Sequence, residues 1–210
     1  MTAPFLFADE LDLKGKRVLL RLDLNVPLLD GQVSEDTRIQ RILPGLKDML
    51  AAGAAVIILT HFGRPKGKVM SEFSVKPIAD CLAKLIGMDV AVEADVIGDG
   101  GKTAVANLQA GQILMMENLR FFPGEEANDP DFAAALAALG DIYVGDAFSC
   151  THRAHASVEA LPKMMKAAAG RALGAELTAL ESALAKPKRP VAALVGGAKV
   201  STKLDVLNNL

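Results

Sequence analysis

The stretch "VIILTHFGRPKGK", residues 56–68, joins a short apolar run directly to a run of polar and basic residues. Residues 56–59 are apolar without a break, which is typical of a strand covered on both faces of a parallel sheet. His61 and Arg64 follow at once, and Gly63 lets the chain turn between them. Loops at the carboxyl ends of parallel strands are where such sheets bind ligands. The stretch therefore predicts a buried strand that delivers positive charge to a ligand-binding edge.

Apolar runs of similar length recur along the chain and alternate with helical patterns. The predicted strands cover residues 17–24, 54–60, 89–92, 113–117, 141–148 and 191–197, and the predicted helices cover residues 37–52, 75–86, 100–109, 130–139, 173–186 and 200–210. Strands that alternate with helices favour a parallel sheet. We therefore predict an α/β fold: a Rossmann-like parallel sheet with helices on both faces, a three-layer sandwich, followed by an interdomain helix.

The first predicted helix carries its own start, stop and interruption signals. Asp36 is the expected N-cap, and Gly53 is the expected stop. Pro44 lies inside the pattern and is expected to kink the helix or to break it.

Composition argues against partners that bind through bulk charge. Of the 210 residues, 51% are hydrophobic, and 23 basic against 25 acidic residues give a net charge of −2. This balance speaks against nucleic acid and membrane surfaces as partners. The two cysteines, Cys81 and Cys150, suit a reducing cytosol. No secretory signal or bilayer-spanning run is recognisable, so we expect a cytoplasmic protein.

A domain boundary is predicted near residues 170–190. A helical pattern there leads into "KPKRP" (186–190), and "VAALVGGAKVSTKLDVLNNL" then begins a new strand–turn–helix unit. This unit either packs on the first domain or opens a second one, and we favour the second alternative. The expected organisation is an N-terminal domain at 1–170, an interdomain helix and hinge at 171–189, and the truncated start of a C-terminal domain at 190–210.

Polar and basic residues follow four of the predicted strands. Parallel strands bring these residues to one edge, where guanidinium groups match the oxygens of phosphate and carboxylate groups. We expect a site for a small, multiply anionic ligand there, with Lys66 and Lys68 as solvated neighbours. Its candidate residues are Asp23, Asn25, Arg38, His61, Arg64, Arg120 and Arg153, with His152 and His155 nearby.

Each of these residues also has a simpler interpretation. A single loop arginine is usually solvated, and Asp23 and Asn25 alone would suit a turn. Glu125 and Glu126 are expected to be solvated acids near a helix start. Cys150 with His152 and His155 matches no common zinc spacing, so we expect no metal site in this chain. A non-catalytic anion-binding module, a different α/β nucleotide enzyme and a nucleic-acid binder remain as competing classes.

The segment "GGAKVSTK", residues 196–203, has the features of a phosphate-binding turn. Gly196 and Gly197 allow close approach of the backbone, and the following helix offers its N-terminal N–H groups. Lys199 and Lys203 lie four residues apart on one helical face. An ordinary tight turn with solvated lysines is the alternative.

Taken together, these motifs resemble the phosphoglycerate kinase family. The matching segments occur in family order: "RLDLNVP" (21–27), "DTRI" (36–39), "THFGRPKG" (60–67), "ENLRF" (117–121), "DAF" with "HRAHAS" (146–157) and "GGAKVSTK" (196–203). The resemblance implies a monomeric, two-domain glycolytic kinase that transfers phosphate between 1,3-bisphosphoglycerate and ADP, giving 3-phosphoglycerate and ATP. Hinge closure would join the domains, and Mg²⁺ would come with ADP or ATP, bound mainly by the C-terminal domain. The chain would hold the phosphoglycerate half and would be inactive alone.

The resemblance also implies roles for individual residues. Asp23 and Asn25 would hold the glycerate end of the substrate. Arg38 would be catalytic, meeting the carboxyl or acyl-phosphate end and stabilising charge on the transferring group. The basic patch around the 3-phosphate would be completed by His61, Arg64, Arg120 and Arg153. On the nucleotide side, Lys199 would be catalytic, and Lys203 and Gly197 would bind the nucleotide phosphates.

Overall fold

The structure is a computed structural model that describes residues 5–185 and the single positions 190, 192 and 194. Lys199, Lys203, Gly197 and the predicted strand–helix unit therefore lie outside the described residues, as does most of the "KPKRP" segment. The strands are β1 (Arg17–Leu22), β2 (Leu28–Leu29), β3 (Gln32–Val33), β4 (Ala55–Leu59), β5 (Val90–Glu93), β6 (Ile113–Met116), β7 (Ile142–Asp146) and β8 (Ala167–Ala169). The α-helices are α1 (Thr37–Ala51), α2 (Lys76–Ile86), α3 (Asp99–Asn107), α4 (Pro123–Glu126), α5 (Pro130–Ala137), α6 (Leu161–Met164) and α7 (Arg171–Leu180).

Six strands form one parallel sheet in the order β5-β6-β4-β1-β7-β8. The strands followed by the predicted site residues are β6, β4, β1 and β7, which are consecutive neighbours in that order. The register pairs Arg21 with Leu59 on one side of β1, and Leu22 with Asp146 on the other. Because the strands are parallel, their carboxyl ends meet at one edge.

The sheet separates two apolar cores, and β1 shows why. Side chains alternate across a strand, so Val18 and Leu20 face the core that contains α1 and α2 residues. Leu19 faces the opposite core, which contains residues of α3 and α5. Helices thus cover both faces, and the predicted three-layer α/β fold is confirmed.

Helix α1 runs from Thr37 to Ala51 without a break at Pro44, so the predicted alternative of a break is wrong. Its buried residues, which include Ile39 and Leu46, lie on both sides of the proline and bury the helix against one core. Packing of a continuous apolar face outweighs one missing hydrogen bond. Asp36 holds the N-cap position, although its side chain accepts from Gln40 Nε2 at 2.8 Å instead of capping the backbone.

Among the strands, the hairpin β2–β3 and strand β8 were not predicted. The hairpin β2–β3 turns at Asp30 and Gly31, both with positive φ (51° and 73°), and an Asp-Gly pair is a recognised signal for such turns. Strand β8 consists of three alanines, which have little strand preference, so its pairing with β7 decides its conformation.

The chain divides into two compact units, Met1–Leu173 and Gly174–Leu210. The division falls within α7, inside the segment predicted as an interdomain helix. That assignment of domains remains a prediction. Within the described residues, no helix combines the length and the apolar character needed to cross a membrane.

Candidate functional site

The candidate site lies at the carboxyl edge of the four central strands, and Asp23 occupies the loop after β1. Its Oδ2 accepts from Arg38 Nη1 at 2.9 Å and from the Ser149 hydroxyl at 2.5 Å. Burial of Asp23 opposes ionisation, but the hydrogen bonds from Ser149 and Asn25 and the positive charge of Arg38 together lower its pKa below the usual value. Asp23 is therefore an ionised carboxylate that fixes Arg38 beside the edge.

The loops after β1 and β4 are joined by polar contacts. Leu24 N–H donates to Thr60 Oγ1 at 3.3 Å, and the same hydroxyl donates to the Leu22 carbonyl at 3.1 Å. Asn25 Oδ1 accepts from Gly63 N–H at 3.0 Å. Asn25 thus positions the turn at Gly63, which lies between His61 and Arg64 in the chain.

Asn118, which was not among the predicted site residues, joins the loop after β6 to the loop after β4. It is fully buried. Its Oδ1 accepts from the N–H groups of Phe62 and Arg120, each at 3.1 Å. Its Nδ2 donates to the carbonyls of Phe62 at 2.7 Å and Phe73 at 2.9 Å. One side chain therefore satisfies four backbone groups and sets the relative position of the two loops.

Arg120 is largely buried, unlike the solvated loop arginine that is the usual case. Its Nη1 donates to the Gly63 carbonyl at 2.7 Å. Its Nε lies 3.2 Å from Glu126 Oε1, an ion-pair distance without hydrogen-bond alignment. The side chain is thus held against the turn at Gly63, with its charge only partly compensated by the half-exposed Glu126.

His61 is buried and contacts a second buried residue, Arg21 of β1. Arg21 Nη2 lies 3.2 Å from His61 Nδ1. Burial lowers the pKa of His61 to about 3, and the positive charges of Arg21, Arg120 and Arg153 add to this effect while Asp23 opposes it. His61 is therefore a neutral imidazole at neutral pH and contributes hydrogen bonding, not positive charge, to the basic patch.

Glu125 was expected to be a solvated acid, and the structure shows that this is wrong. Its carboxylate is fully buried. Oε1 accepts from the Ser157 hydroxyl at 2.6 Å, and Oε2 accepts from the Ser157 N–H at 2.9 Å. Arg21 Nη2 lies 4.0 Å from Oε1. The short helix α4 packs inward here, which places Glu125 next to Arg21 in the protein interior.

Arg153 and Arg64 complete the set of predicted arginines. Arg153 is half-buried, and its Nε lies 3.3 Å from His152 Nε2. Its charge acts on both His61 and Arg120, which places it at the same edge. Arg64 is exposed, and its guanidinium has no side-chain partner within residues 5–185. Arg64 is thus the predicted cation that is left available to solvent or ligand.

Within the described residues, the side chains close enough to share a metal ion are not the set Cys150, His152 and His155. Ligand atoms of Asp23, His61 and Cys150 lie within 4.8 Å of one another, whereas His152 and His155 do not join Cys150 in such a group there. A thiol and an imidazole do not suit Mg²⁺, which prefers oxygen ligands. The surrounding arginines also oppose a cation. This part of the chain therefore does not offer a site that fits Mg²⁺.

The structure thus brings together Asp23, Arg38, His61, Arg120 and Arg153, and it places Asn25 and Arg64 on the adjoining loops. Arg21, Asn118, Glu125, Ser149 and Ser157 also shape the site but were missed. For Arg21 a signal existed, since a charged residue inside the apolar run "RVLLRLDL" needs a buried partner.

Comparison with known proteins agrees with this architecture. The family model described as "Phosphoglycerate kinase" matches residues 8–210. A phosphoglycerate kinase from Ruegeria sp. (strain TM1040) is 57% identical over 202 residues, covering 96% of this chain and 51% of the relative. One from Rhizobium meliloti (strain 1021) is 54% identical with the same coverage.

Solved structures give the same result. Phosphoglycerate kinase from Coxiella burnetii matches with a TM-score of 0.90 and 41% identity, over 98% of this chain and 51% of that one. The enzyme from Pyrococcus horikoshii OT3 matches with a TM-score of 0.84 and 29% identity, over 97% of this chain and 51% of that one. The chain spans about half the length of the relatives it matches. It belongs to the phosphoglycerate kinase family.

Proposed function

We propose that this chain is the phosphoglycerate-binding half of a phosphoglycerate kinase. The complete enzyme would transfer a phosphoryl group reversibly from 1,3-bisphosphoglycerate to ADP, giving 3-phosphoglycerate and ATP. The observation that carries the proposal is the convergence of Arg38, Arg120 and Arg153 at one edge of the sheet around His61 and Asp23. A cluster of guanidinium groups with few counter-ions suits a ligand with several anionic oxygens.

Within this site, each group would meet the part of the substrate that matches its chemistry. Asp23 and Asn25 would hold the glycerate end, where an ionised carboxylate and an amide can accept from a hydroxyl group. His61, Arg64, Arg120 and Arg153 would surround the 3-phosphate. Support for a phosphate clamp comes from the available guanidinium of Arg64 and the fixed guanidinium of Arg120.

Catalysis would consist mainly of positioning and charge stabilisation, because phosphoryl transfer needs little covalent chemistry from the protein. Half of the Arg38 side chain is exposed, and its guanidinium is held by Asp23. Arg38 can therefore reach a phosphoryl group at the carboxyl end of the substrate. Lys199 would stabilise the same group from the nucleotide side, with Lys203 and Gly197 on the nucleotide phosphates. Mg²⁺ would arrive with ADP or ATP and compensate phosphate charge.

Domain closure would join the two halves of the reaction, since donor and acceptor would bind to different domains. We propose residues 1–170 as the phosphoglycerate domain, 171–189 as the interdomain helix and hinge, and 190–210 as the start of the nucleotide domain. The protein is proposed to be a cytoplasmic monomer that binds neither nucleic acid nor membranes.

Calorimetric titration with 3-phosphoglycerate tests the proposal on the 210-residue chain. Arg64→Ala removes an exposed side chain with no partner among residues 5–185, so it should leave the fold intact. Losing a charged hydrogen bond costs about 1.5–3 kcal/mol, which weakens binding by roughly 10–100-fold. Lys68→Ala, an exposed lysine in the same loop, is the matched control and should change affinity by less than about twofold. Equal effects of the two variants, or no binding by the wild-type chain, would contradict the proposal.

A further inference from the structure

Arg21 is a charged residue in the middle of a buried strand and is 2% exposed. Its guanidinium is fixed on three sides. Nε donates to Ser157 Oγ at 2.8 Å, Nη1 donates to the Leu22 carbonyl, and Nη2 lies 3.2 Å from His61 Nδ1. A buried cation of this kind requires a counter-ion. The charge of Arg21 must therefore be compensated by a buried group close to it.

Glu125 supplies that counter-ion. Its Oε1 lies 4.0 Å from Arg21 Nη2 and accepts the Ser157 hydroxyl proton at 2.6 Å. Ser157 is held in turn, because the Tyr143 hydroxyl donates to its carbonyl at 2.9 Å. The result is a buried chain of contacts from Glu125 through Ser157 and Arg21 to His61.

The direction of the last hydrogen bond follows from chemistry. A guanidinium has donors and no acceptor, so His61 Nδ1 must accept. A neutral imidazole that accepts at Nδ1 carries its proton on Nε2. His61 is thereby a donor at Nε2, the type of group that a phosphate or carboxylate oxygen can use.

We propose that Glu125 is a positioning residue of the candidate site: acting through Ser157 and Arg21, it holds His61 as a neutral imidazole with its proton on Nε2. This inference rests on the proposed function only where it assigns the Nε2–H group to a phosphoglycerate oxygen. Glu125 itself does not touch the ligand.

The charged and titratable groups around His61 support a fixed protonation state. Arg21 faces it from β1, Arg120 from the loop after β6 and Arg153 from the loop after β7, and all three oppose protonation. Asp23 favours protonation but is itself hydrogen-bonded to Arg38 and Ser149. Cys150 also lies within 4.8 Å of the imidazole. The net effect is a histidine that keeps one protonation state across the physiological range.

Proton–nitrogen correlation spectra of the imidazole rings test the inference in the free 210-residue chain. The chain has three histidines, so His61→Gln assigns the relevant signals by their loss. The wild-type protein should show His61 as the Nε2–H tautomer, with no titration between about pH 5 and pH 8. Protonation of His61 in that range, or a proton on Nδ1, would overturn the inference without reference to any ligand.

Glu125→Gln tests the positioning step, because it removes the counter-ion of Arg21 with little change in shape. We expect Arg21 to leave His61 Nδ1, so that His61 shows mixed tautomers and titrates at least one pH unit higher. Glu159→Gln is the matched control, since Glu159 pairs with Asn128 and Lys163. An unchanged His61 spectrum in a folded Glu125→Gln variant would overturn the inference. Ser157→Ala should give the same spectral change and serves if Glu125→Gln does not fold.

A titration with 3-phosphoglycerate separates this inference from the proposed function. Glu125→Gln should weaken binding by roughly 10–100-fold, the scale seen when a residue that orients a ligand-binding group is lost. Glu159→Gln should remain within about twofold of wild type. If the wild-type tautomer is as expected but 3-phosphoglycerate does not bind, the proposed function fails and the positioning of His61 stands. Unchanged affinity in Glu125→Gln would overturn the link between the two.

Discussion

Replacement of Asn118 by alanine should loosen the candidate site and destabilise the unit Met1–Leu173. The fully buried amide makes four hydrogen bonds of 2.7–3.1 Å to the backbone of Phe62, Phe73 and Arg120. At about 1 kcal/mol net for each bond, the variant should lose about 4 kcal/mol of the free energy of unfolding. For a unit of this size the loss corresponds to a fall in Tm of about 8–16 °C.

Urea unfolding followed by circular dichroism measures this loss in the 210-residue chain. Asn107→Ala is the matched control: Asn107 is exposed at the end of α3, and its change should stay within about 0.5 kcal/mol. A loss below about 1 kcal/mol in Asn118→Ala, with an unchanged m-value, would refute the role of Asn118 in joining the two loops.

Three further predictions concern strain, pH and catalysis. Gly63→Ala should lower the free energy of unfolding by more than about 1 kcal/mol, since φ is +58° and the new Cβ would lie 2.3 Å from Phe73 Cδ1. Gly111→Ala is the control for backbone strain alone, because Gly111 has φ +83° and open space around it. Equal losses of stability in the two variants would exclude the steric effect. The pKa of folded His61 is about 3, against an ordinary value of 6.5, so unfolding takes up a proton at pH values between the two. The free energy of unfolding should therefore fall by about 1.4 kcal/mol per pH unit from pH 6.5 towards pH 3. Urea unfolding at several pH values should show that His61→Gln reduces this slope, and an unaltered slope would contradict the assignment. In a protein of the full length of its relatives, Arg38→Ala should lower kcat by ~10²-fold. A steady-state assay showing unchanged kcat would exclude the catalytic role of Arg38. The 210-residue chain alone is expected to form no ATP.

The sheet was predictable from sequence because its strands are apolar on both faces. Residues 17–22, 55–59 and 113–116 are apolar runs with two charged exceptions, Arg17 and Arg21, and each forms a strand close to its predicted position. Strand β8 was not predictable, since three alanines carry no local strand signal and their conformation depends on pairing with β7. Continuation of α1 through Pro44 likewise depends on tertiary packing.

The candidate site was predictable to the extent that its residues follow strand ends. Asp23, His61 and Arg120 each follow a central strand, so topology alone brings them together. The groups behind them depend on contacts between distant parts of the chain: Arg21 meets Ser157, and Glu125 is buried by the fold of a short helix. No local pattern distinguishes Glu125 from the half-exposed Glu126 beside it.

Backbone amide chemical shifts during titration with 3-phosphoglycerate test the central claim most directly. We predict that the largest shift changes fall in the loops after β1, β4, β6 and β7, which carry Asp23, His61, Arg120 and Arg153. Amides at the opposite edge, where these four strands begin, should be unaffected. Shift changes centred elsewhere, such as the N-terminus of α3, would contradict the account, as would the absence of saturable changes.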